Sequence, residues 1–477
     1  MISDPCGVVI LAAGLGKRMR SPLPKVLHEI GGQSLLFHIL DGVLAVAPGA
    51  EIAIVVGHAR ERVEAAVRQA AQFKSLSIRF IHQPEQRGTG HAARCAMDSD
   101  WGESVARRKL PVLILPGDLP LMPGSLVEAM LEPIGPSAGL RLLTCKLPDP
   151  KGYGRVVRRG KLGAVLRIVE EKDANLREKA IHEVAASIYL FHSGFLKTSL
   201  HKLSDKNAQG EYYLTDLVAK AAASKKKIDV LLWPEAEDLR GVNDPWELAL
   251  AGRILGERQT RRWAQSHGVR FVDPWSVQLD STVELSEGVT IHPGAILSGR
   301  TRVAPGATIG PGVVLRNVVV GQDANLKVGT VAEDSVIGAG AQIGPYAHLR
   351  PESDVGPKAK IGNFVELKKA RIGAGSSVAH LSYIGDAEVG ERVNIGCGFV
   401  TCNFDGRVLN GSRKHRTLIG DDAFIGSDCQ AVAPVSIGKG AYVASGSTIT
   451  EDVESGALAI ARSRQTNKPG YAKKLRS

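Results

Sequence analysis

A chain of 477 residues has room for two or more domains, each able to bury its own core, and with 53 Gly and only 5% aromatic residues it suits an array built of small residues. Its net charge of +11 comes with no aromatic-interleaved basic stripe and no recognition motif, so nucleic acid is not the expected partner. A positive field also serves a protein that handles nucleotides, sugar phosphates or coenzyme A, and that is the class the charge points to.

The first half alternates apolar runs of strand length with helical stretches: Val8-Val9-Ile10-Leu11, then Leu35 to Val46, Ile52 to Val56, Arg60 to Phe73, Ile78 to His82 and Val112 to Leu115. Such alternation predicts a Rossmann-like α/β domain over residues 1–245, with a mostly parallel sheet, helices on both faces and ligands at the carboxyl ends of the strands. The first strand runs into Ala12-Ala13-Gly14-Leu15-Gly16-Lys17-Arg18-Met19, with Lys25 shortly after. Small residues there let backbone amides approach a nucleotide, and the cationic side chains can meet its phosphates. The Walker pattern fails because Arg18 follows Gly16-Lys17, and the Rossmann fingerprint fails for want of a third Gly at the required position. Alone, the segment reads equally as a tight turn.

Further segments follow in order: Gln83 with Gly88-Thr89-Gly90-His91-Ala92, Leu115-Pro116-Gly117-Asp118, Gly152-Tyr153-Gly154-Arg155, Ile168-Val169-Glu170-Glu171, Asn207 through Asp216, and Gly241-Val242-Asn243. Asp244-Pro245 then opens an amphipathic stretch, Trp246 to His267, with Asp as N-cap and Pro at the first helical position. It reads as a linker helix over residues 246–267.

From about Val283 to Thr450 an aliphatic residue followed by Gly returns at multiples of six. Ile337-Gly338, Ile343-Gly344, Val355-Gly356 and Ile361-Gly362 carry the pattern; Ile419-Gly420, Ile425-Gly426 and Ile437-Gly438 resume it, and Val443 and Ile449 continue it. A period of six is neither helical nor a simple alternation, so each short strand supplies one inward aliphatic residue and one turn Gly. The prediction is a left-handed parallel β-helix of hexapeptide repeats over residues 268–460, followed by a basic tail over 461–477. Leu349-Arg350-Pro351, Asn363 through Lys369, and His380-Leu381-Ser382-Tyr383 interrupt the rhythm with polar residues that a structural repeat has little use for. The cysteines Cys6, Cys95, Cys145, Cys397, Cys402 and Cys429 show no CxxC pair, no signal sequence is evident, and no run approaches the roughly 20 apolar residues of a membrane span. A cytoplasmic protein without a membrane partner is expected.

The ordered segments of the first half resemble the sugar-nucleotide pyrophosphorylases, and Asn207 to Asp216 with Gly241-Val242-Asn243 narrow the likeness. Joined to a hexapeptide half, the chain from Val8 to Lys468 resembles the bifunctional N-acetylglucosamine-1-phosphate uridylyltransferase / glucosamine-1-phosphate N-acetyltransferase family. The resemblance implies acetyl transfer from acetyl-CoA to glucosamine 1-phosphate, then uridylyl transfer from UTP to N-acetylglucosamine 1-phosphate with release of pyrophosphate. The product would feed peptidoglycan and lipopolysaccharide synthesis. It also implies a homotrimer, because coenzyme and sugar contacts in this fold come from neighbouring prisms.

The same resemblance assigns residues. Leu11, Ala12, Ala13 and Gly14 hold the nucleotide, with Gly117 and Gly154 also in contact; Gln83, Gly88 and Thr89 read uracil; Glu170 meets the sugar; Asp118 and Asn243 hold Mg²⁺. Arg18 and Lys25 act catalytically by neutralising phosphate charge during an in-line displacement. In the second half His380 is the general base, Glu366 orients or polarises it, and Arg350, Lys368, Tyr383 and Asn394 meet the sugar phosphate. Cys397, Asn403, Phe404, Ser427, Ser445 and Arg462 fall at acetyl-CoA contacts. Taken by itself, a His on a coil reads as a surface or packing residue, and only the resemblance makes His380 a base.

The chain departs from the family pattern at several positions. Lys17 stands where Thr is usual, Cys397 and Ser445 where Ala is usual, and Phe404 where Tyr is usual. Cys397 is expected to be a neutral buried thiol rather than a nucleophile. Residues 407–416 form a loop longer than the family's by about five residues, whose basic side chains either meet coenzyme phosphates or stay in solvent. Glu183-Val184-Ala185-Ala186-Ser187 replaces the usual Glu-Ile-Asn-Thr-Gly, so Ala185 lacks a ligand-contacting amide and weaker sugar-nucleotide recognition is expected. Two alternatives stand beside the bifunctional one: a single-activity pyrophosphorylase with a structural β-helix, and a non-catalytic scaffold.

Overall fold

A computed structural model describes residues 5–74, 76–135, 137–160, 163–406, 408 and 411–475; Arg407, Leu409 and Asn410 of the long loop lie outside them. The chain divides into two compact units, Met1–Leu255 and Gly256–Ser477.

In the first unit, helices form where apolar residues recur at helical spacing. Leu35–Val46 buries Leu35, Leu36, Ile39, Leu40, Val43 and Val46, and the Ser34 side chain caps it by accepting from the Phe37 amide at 3.3 Å. The expected helix Arg60 to Phe73 is instead an α-helix, Arg60–Gln69, and a 3₁₀ turn, Ala71–Phe73. Extended backbone at Ala70 breaks it and lets Phe73, 3% exposed, turn into the core.

The sheet runs in the order Lys227–Leu232, Ala138–Lys146, Glu183–His192, Pro111–Pro116, Gly7–Leu11, Glu51–Val56, Ile78–His82. The last four strands are mutually parallel, whereas Glu183–His192 is antiparallel to both neighbours. Alternate residues feed the two faces: Val8 and Ile10 enter one core, Val9 and Ala13 the other. A second antiparallel pair, Gly154–Arg158 with Val165–Val169, hangs from the start of Glu183–His192.

The helix Pro245–His267 begins with Pro, as the sequence predicts, and the Asp244 carboxylate caps it by accepting from the Glu247 amide at 2.9 Å. The division between the units falls inside this helix. Leu248, Ala251, Ile254 and Leu255 pack with Ile30, Leu35, Leu121 and Val242, and Trp263 belongs to the core of the second unit. No helix among the described residues is long and apolar enough to cross a membrane.

The second unit is a stack of short parallel strands. Each pairs with the strand one coil on, 18 residues away where Thr290 meets Thr308 and 17 away where Thr308 meets Asn325. Ile337, Ile343, Val355, Ile361, Ile419, Ile425, Ile437 and Val443 are at most 3% exposed, so the aliphatic position of the hexad is the inward one. This is the left-handed parallel β-helix the spacing predicts. The rhythm loses a residue four times among these coils, between Leu315 and Val320, Ala332 and Ile337, Leu367 and Ile372, and Ile384 and Val389. Each of these corners is taken by one left-handed residue, Asn317 at φ 55°, Asp334 at φ 42°, Lys369 at φ 48° and Asp386 at φ 49°; at the last two, Ala370 and Ala387 fill the narrowed interior at 2% exposure.

Candidate functional site

At the carboxyl ends of Gly7–Leu11 and Pro111–Pro116 the first unit opens a cleft of about 840 Å³. Leu11, Ala12, Ala13, Gly14, Arg18, Lys25, Gln83, Gly88, Thr89, Asp118, Gly154, Glu170 and Asn243 all line it. Of the residues assigned to the nucleotide, Gly117 does not; its amide donates to the Leu11 carbonyl at 2.9 Å, and a Cβ there would stand 2.8 Å from that oxygen. Gly117 therefore lets two strand ends close on each other. Gly16 has a similar constraint: its φ is 58°, and a Cβ would come within 2.8 Å of the Lys25 Cβ.

That close approach brings Lys25 to the centre of the site. Its ammonium is paired with the Asp118 carboxylate and also donates to Asn243 Oδ1 at 3.3 Å. The backbone makes the meeting possible, since the Val242 amide donates to the Asp118 carbonyl at 3.0 Å and so ties Gly241-Val242-Asn243 to the end of the Pro111–Pro116 strand. Glu247, on the first turn of the following helix, accepts from the Asn243 amide at 2.7 Å. Two hard oxygen donors thus converge on one cationic point. This donor set fits Mg²⁺, which takes few protein ligands and fills its sphere with water and phosphate oxygens. Among the described residues no group of three or more His, Cys, Asp or Glu forms a closed cage.

Gln83 is 3% exposed, with its backbone amide on the Val56 carbonyl at 2.8 Å and its side-chain amide on the Gly88 carbonyl at 3.2 Å. Gly88, at φ 94°, sits where a Cβ would be 2.7 Å from the Tyr212 carbonyl. Thr89 accepts from the Leu214 amide at 3.2 Å, so the Gly88-Thr89 turn and the 207–216 segment are one structure. Across the cleft Glu170 accepts from Thr215 Oγ1 at 2.9 Å. Burial pushes the Glu170 carboxyl above the ordinary carboxylate range; the Thr215 hydrogen bond acts against this, and Asp216, Asp173 and Glu211 add to it. Gly154 leaves room for this carboxylate, whose oxygens would lie 3.5 Å from a Cβ.

Ala185 lines the same cleft at 4% exposure. The Glu183–His192 strand bulges between Ala185 and Tyr189, and Ser187 takes φ 58° within the bulge. The Gly usual at that place in the family has no Cβ to strain. Sequence reasoning did not assign roles to Thr215 and Glu247, which hold Glu170 and Asn243. Asp244-x-x-Glu247 is a capping pattern, and that signal was available.

In the β-helix one corner carries functional candidates coil above coil. The pairings of Ile361 with Val378, Val378 with Ile395, Ile395 with Ile425 and Ile425 with Val443 place Asn363, His380, Cys397, Ser427 and Ser445 in one column. On an adjoining strand Arg350 and Lys368 come to neighbouring coils, with Lys368 opposite Gly385 and Glu366 opposite Tyr383. Arg350 Nη1 donates to Glu366 Oε1 at 2.9 Å, so Glu366 serves the arginine, while the side chain that meets His380 Nδ1 is Asn363, at 2.5 Å. Asn394 is exposed on the strand after Ser377–His380. Asn403 is buried, with its amide donating to Asp386 Oδ2 at 2.5 Å and lying 3.4 Å from the Tyr383 hydroxyl. Phe404, 56% exposed, carries Lys414 4.7 Å above its ring, and Arg462 is exposed. Cys397 is half-buried, not buried, because the corner column faces outward; all six cysteines are free thiols.

A MobA-like NTP transferase domain matches residues 8–171, and bacterial transferase hexapeptide repeats match 334–369 and 416–451. The chain is similar to the bifunctional protein GlmU of Sorangium cellulosum, 46% identical over 476 residues, which covers 99% of this chain and 97% of that one. It is 42% identical to the GlmU of Trichlorobacter lovleyi over 98% of both chains, and 41% identical to that of Corynebacterium glutamicum over 98% of this chain and 94% of the other. With the cleft in an α/β nucleotidyltransferase unit and the polar column on a hexapeptide β-helix, such likeness along the whole length makes the chain a member of the bifunctional GlmU family, the enzymes that join a uridylyltransferase to an acetyltransferase.

Proposed function

We propose that the chain completes UDP-N-acetylglucosamine in two steps: acetylation of glucosamine 1-phosphate by acetyl-CoA at the β-helix, then uridylyl transfer from UTP to N-acetylglucosamine 1-phosphate in the α/β cleft. The observation that carries this is the survival, in one chain, of two separate polar constellations, each drawn together at one place: Lys25 with Asp118 and Asn243, and His380 with Asn363 beside Arg350 and Lys368.

In the cleft, a phosphate oxygen of the sugar phosphate attacks the α-phosphorus of UTP and pyrophosphate leaves; Lys25 and Arg18 offset the negative charge gathered there. Asp118 and Asn243 would hold Mg²⁺, which supplies charge neutralisation at the phosphates. Gln83, Gly88 and Thr89 fix the base, and Glu170 the sugar. On the β-helix, the amine of glucosamine 1-phosphate attacks the thioester carbonyl, His380 takes the proton the amine loses, and the coenzyme leaves as its thiol once reprotonated. Arg350 and Lys368 hold the sugar's phosphate.

We further propose that the active form is a homotrimer. Tyr346, Phe364 and Leu381 stand at one corner of three successive coils and are 52, 57 and 59% exposed. Three large apolar side chains in line beside a polar column support burial against another copy of the chain.

The test uses one preparation and two assays: thiol release from acetyl-CoA with glucosamine 1-phosphate, and pyrophosphate release from UTP with N-acetylglucosamine 1-phosphate. Both are expected. Pyrophosphate release alone would make the β-helix structural, and a single-chain sedimentation mass in fully active protein would overturn the trimer.

A further inference from the structure

We propose that Asn363 is a positioning residue for acetyl transfer: its amide oxygen holds the Nδ1–H of His380, fixing the ring in the tautomer whose Nε2 lone pair is free to take a proton. The inference rests on the acetyltransferase reading given above, and it replaces Glu366 as the side chain that orients the base.

Three observations carry it. The first is register. Asn363 and His380 are direct partners in the parallel ladder between Lys360–Asn363 and Ser377–His380, and the Leu381 amide donates to the Asn363 carbonyl at 3.1 Å. Two side chains at one register position on adjacent parallel strands leave the backbone in the same direction, so the amide and the imidazole are stacked by the fold. The second is the contact itself, Asn363 Oδ1 to His380 Nδ1 at 2.5 Å. An amide oxygen only accepts, so the proton between them belongs to Nδ1. The third is what the neighbours do. Glu366 is engaged by Arg350 at 2.9 Å, Tyr383 lies opposite Glu366 on the next coil, and the coil beyond His380 brings Cys397 to the column. Among the described residues no carboxylate contacts the ring and Nε2 has no protein partner, and His380 is exposed, so Nε2 stays available to substrate.

A neutral acceptor suits this task. It sets the tautomer and the ring angle without placing a full negative charge beside the imidazole, which would favour the protonated ring and remove the base from use near neutral pH.

The decisive measurement is the ¹⁵N spectrum of His380 in the full-length protein. Wild type should show Nδ1 protonated and Nε2 bare, and Asn363→Ala should lose that preference. In kinetics, Asn363→Ala should lower kcat of acetyl transfer on the order of tenfold or more, with KM for glucosamine 1-phosphate little changed and uridylyl transfer intact. Asn363→Asp keeps an acceptor but adds charge, so it should recover kcat at high pH while the acidic limb of its profile moves to higher pH. A purely packing role would not produce the tautomer signature. A wild-type ring protonated at Nε2 means the amide faces the other way and overturns the proposal; so does an unchanged kcat in folded Asn363→Ala. If Asn363→Ala does not fold, the wild-type spectrum and Asn363→Asp still decide. Should His380→Ala retain acetyl transfer, the general-base reading fails, and the spectrum still judges the Asn363 contact by itself.

Discussion

The cleft of the first unit and the column of the second gather their residues in opposite ways. In the cleft, Leu11, Lys25, Gln83, Asp118, Glu170 and Asn243 come from more than 230 residues of chain and meet because parallel strands deliver their loops to one edge of the sheet. In the β-helix, Asn363, His380 and Cys397 are each 17 residues apart and meet because one coil lies on the next. The first arrangement makes an enclosing pocket from one chain; the second makes a flat outward-facing row that needs something placed against it. Enclosure comes from topology in the first case; in the second, the proposed trimer would supply it.

Breaking each half separately is the strongest test of that contrast. His380→Ala should reduce acetyl transfer by about 10² to 10⁴, the usual worth of a positioned general base, and leave pyrophosphate release near wild type. Asp118→Ala should nearly abolish pyrophosphate release and spare acetyl transfer. It also strands Lys25, whose side chain is only 15% exposed, so circular dichroism and sedimentation should accompany the assay. Loss of both activities in either folded, trimeric variant would show that the sites are not independent.

A smaller effect sharpens the account of the cleft. Ala185→Asn returns an amide to a wall position that is 4% exposed, and a hydrogen bond of ordinary strength predicts about tenfold or less tighter binding of UDP-N-acetylglucosamine. Calorimetry reads this directly. Absence of any gain would mean another group, such as Ser187, already makes the contact, or that the pocket prefers a different sugar 1-phosphate. Two residues on, Ser187→Gly relieves a left-handed backbone at φ 58° and should raise stability by up to about 1 kcal/mol in denaturant titrations.

The smallest expected effect concerns Glu170, whose carboxyl is held up by burial. A carboxyl raised in the folded state contributes stability that is complete below its unfolded value and is lost as pH rises through its folded value. Glu170→Gln should therefore raise the Tm of the free protein near neutral pH and change it little in mild acid. If the two pH values give equal shifts, burial is not what the carboxyl feels. The same variant should weaken sugar-nucleotide binding.

Much of this was legible in the sequence because the physics was local. Aliphatic-Gly hexads could mean only one inward residue per short strand, and the apolar residues of Leu35 to Val46 marked that helix. The antiparallel course of Glu183–His192 was not legible, since an apolar strand does not declare the direction of its partners. Neither was Lys25 at the focus of Asp118 and Asn243, which depends on the absence of a Cβ at Gly16 and on a backbone bond from Val242. Asn363 escaped notice for a subtler reason. The polar segment it opens was visible as an interruption, but the coils around it are shortened by one residue, so a strict six-residue count does not pair it with His380.

The strands Val400–Cys402 and Thr417–Ile419 meet a corner of the stack with fourteen residues of sequence between them, and Thr417–Ile419 pairs with Ala387, Glu388 and Val389 as though nothing had intervened. For protein engineering this corner is a splice point. One residue added inside a strand would swap its inward and outward side chains, whereas doubling a corner loop adds only about 0.6 kcal/mol of closure entropy. A reporter peptide or affinity segment grafted into this stretch, clear of the buried Asn403 and His415, should be tolerated by the frame, and whatever it costs acetyl transfer then measures how near that corner lies to the bound coenzyme.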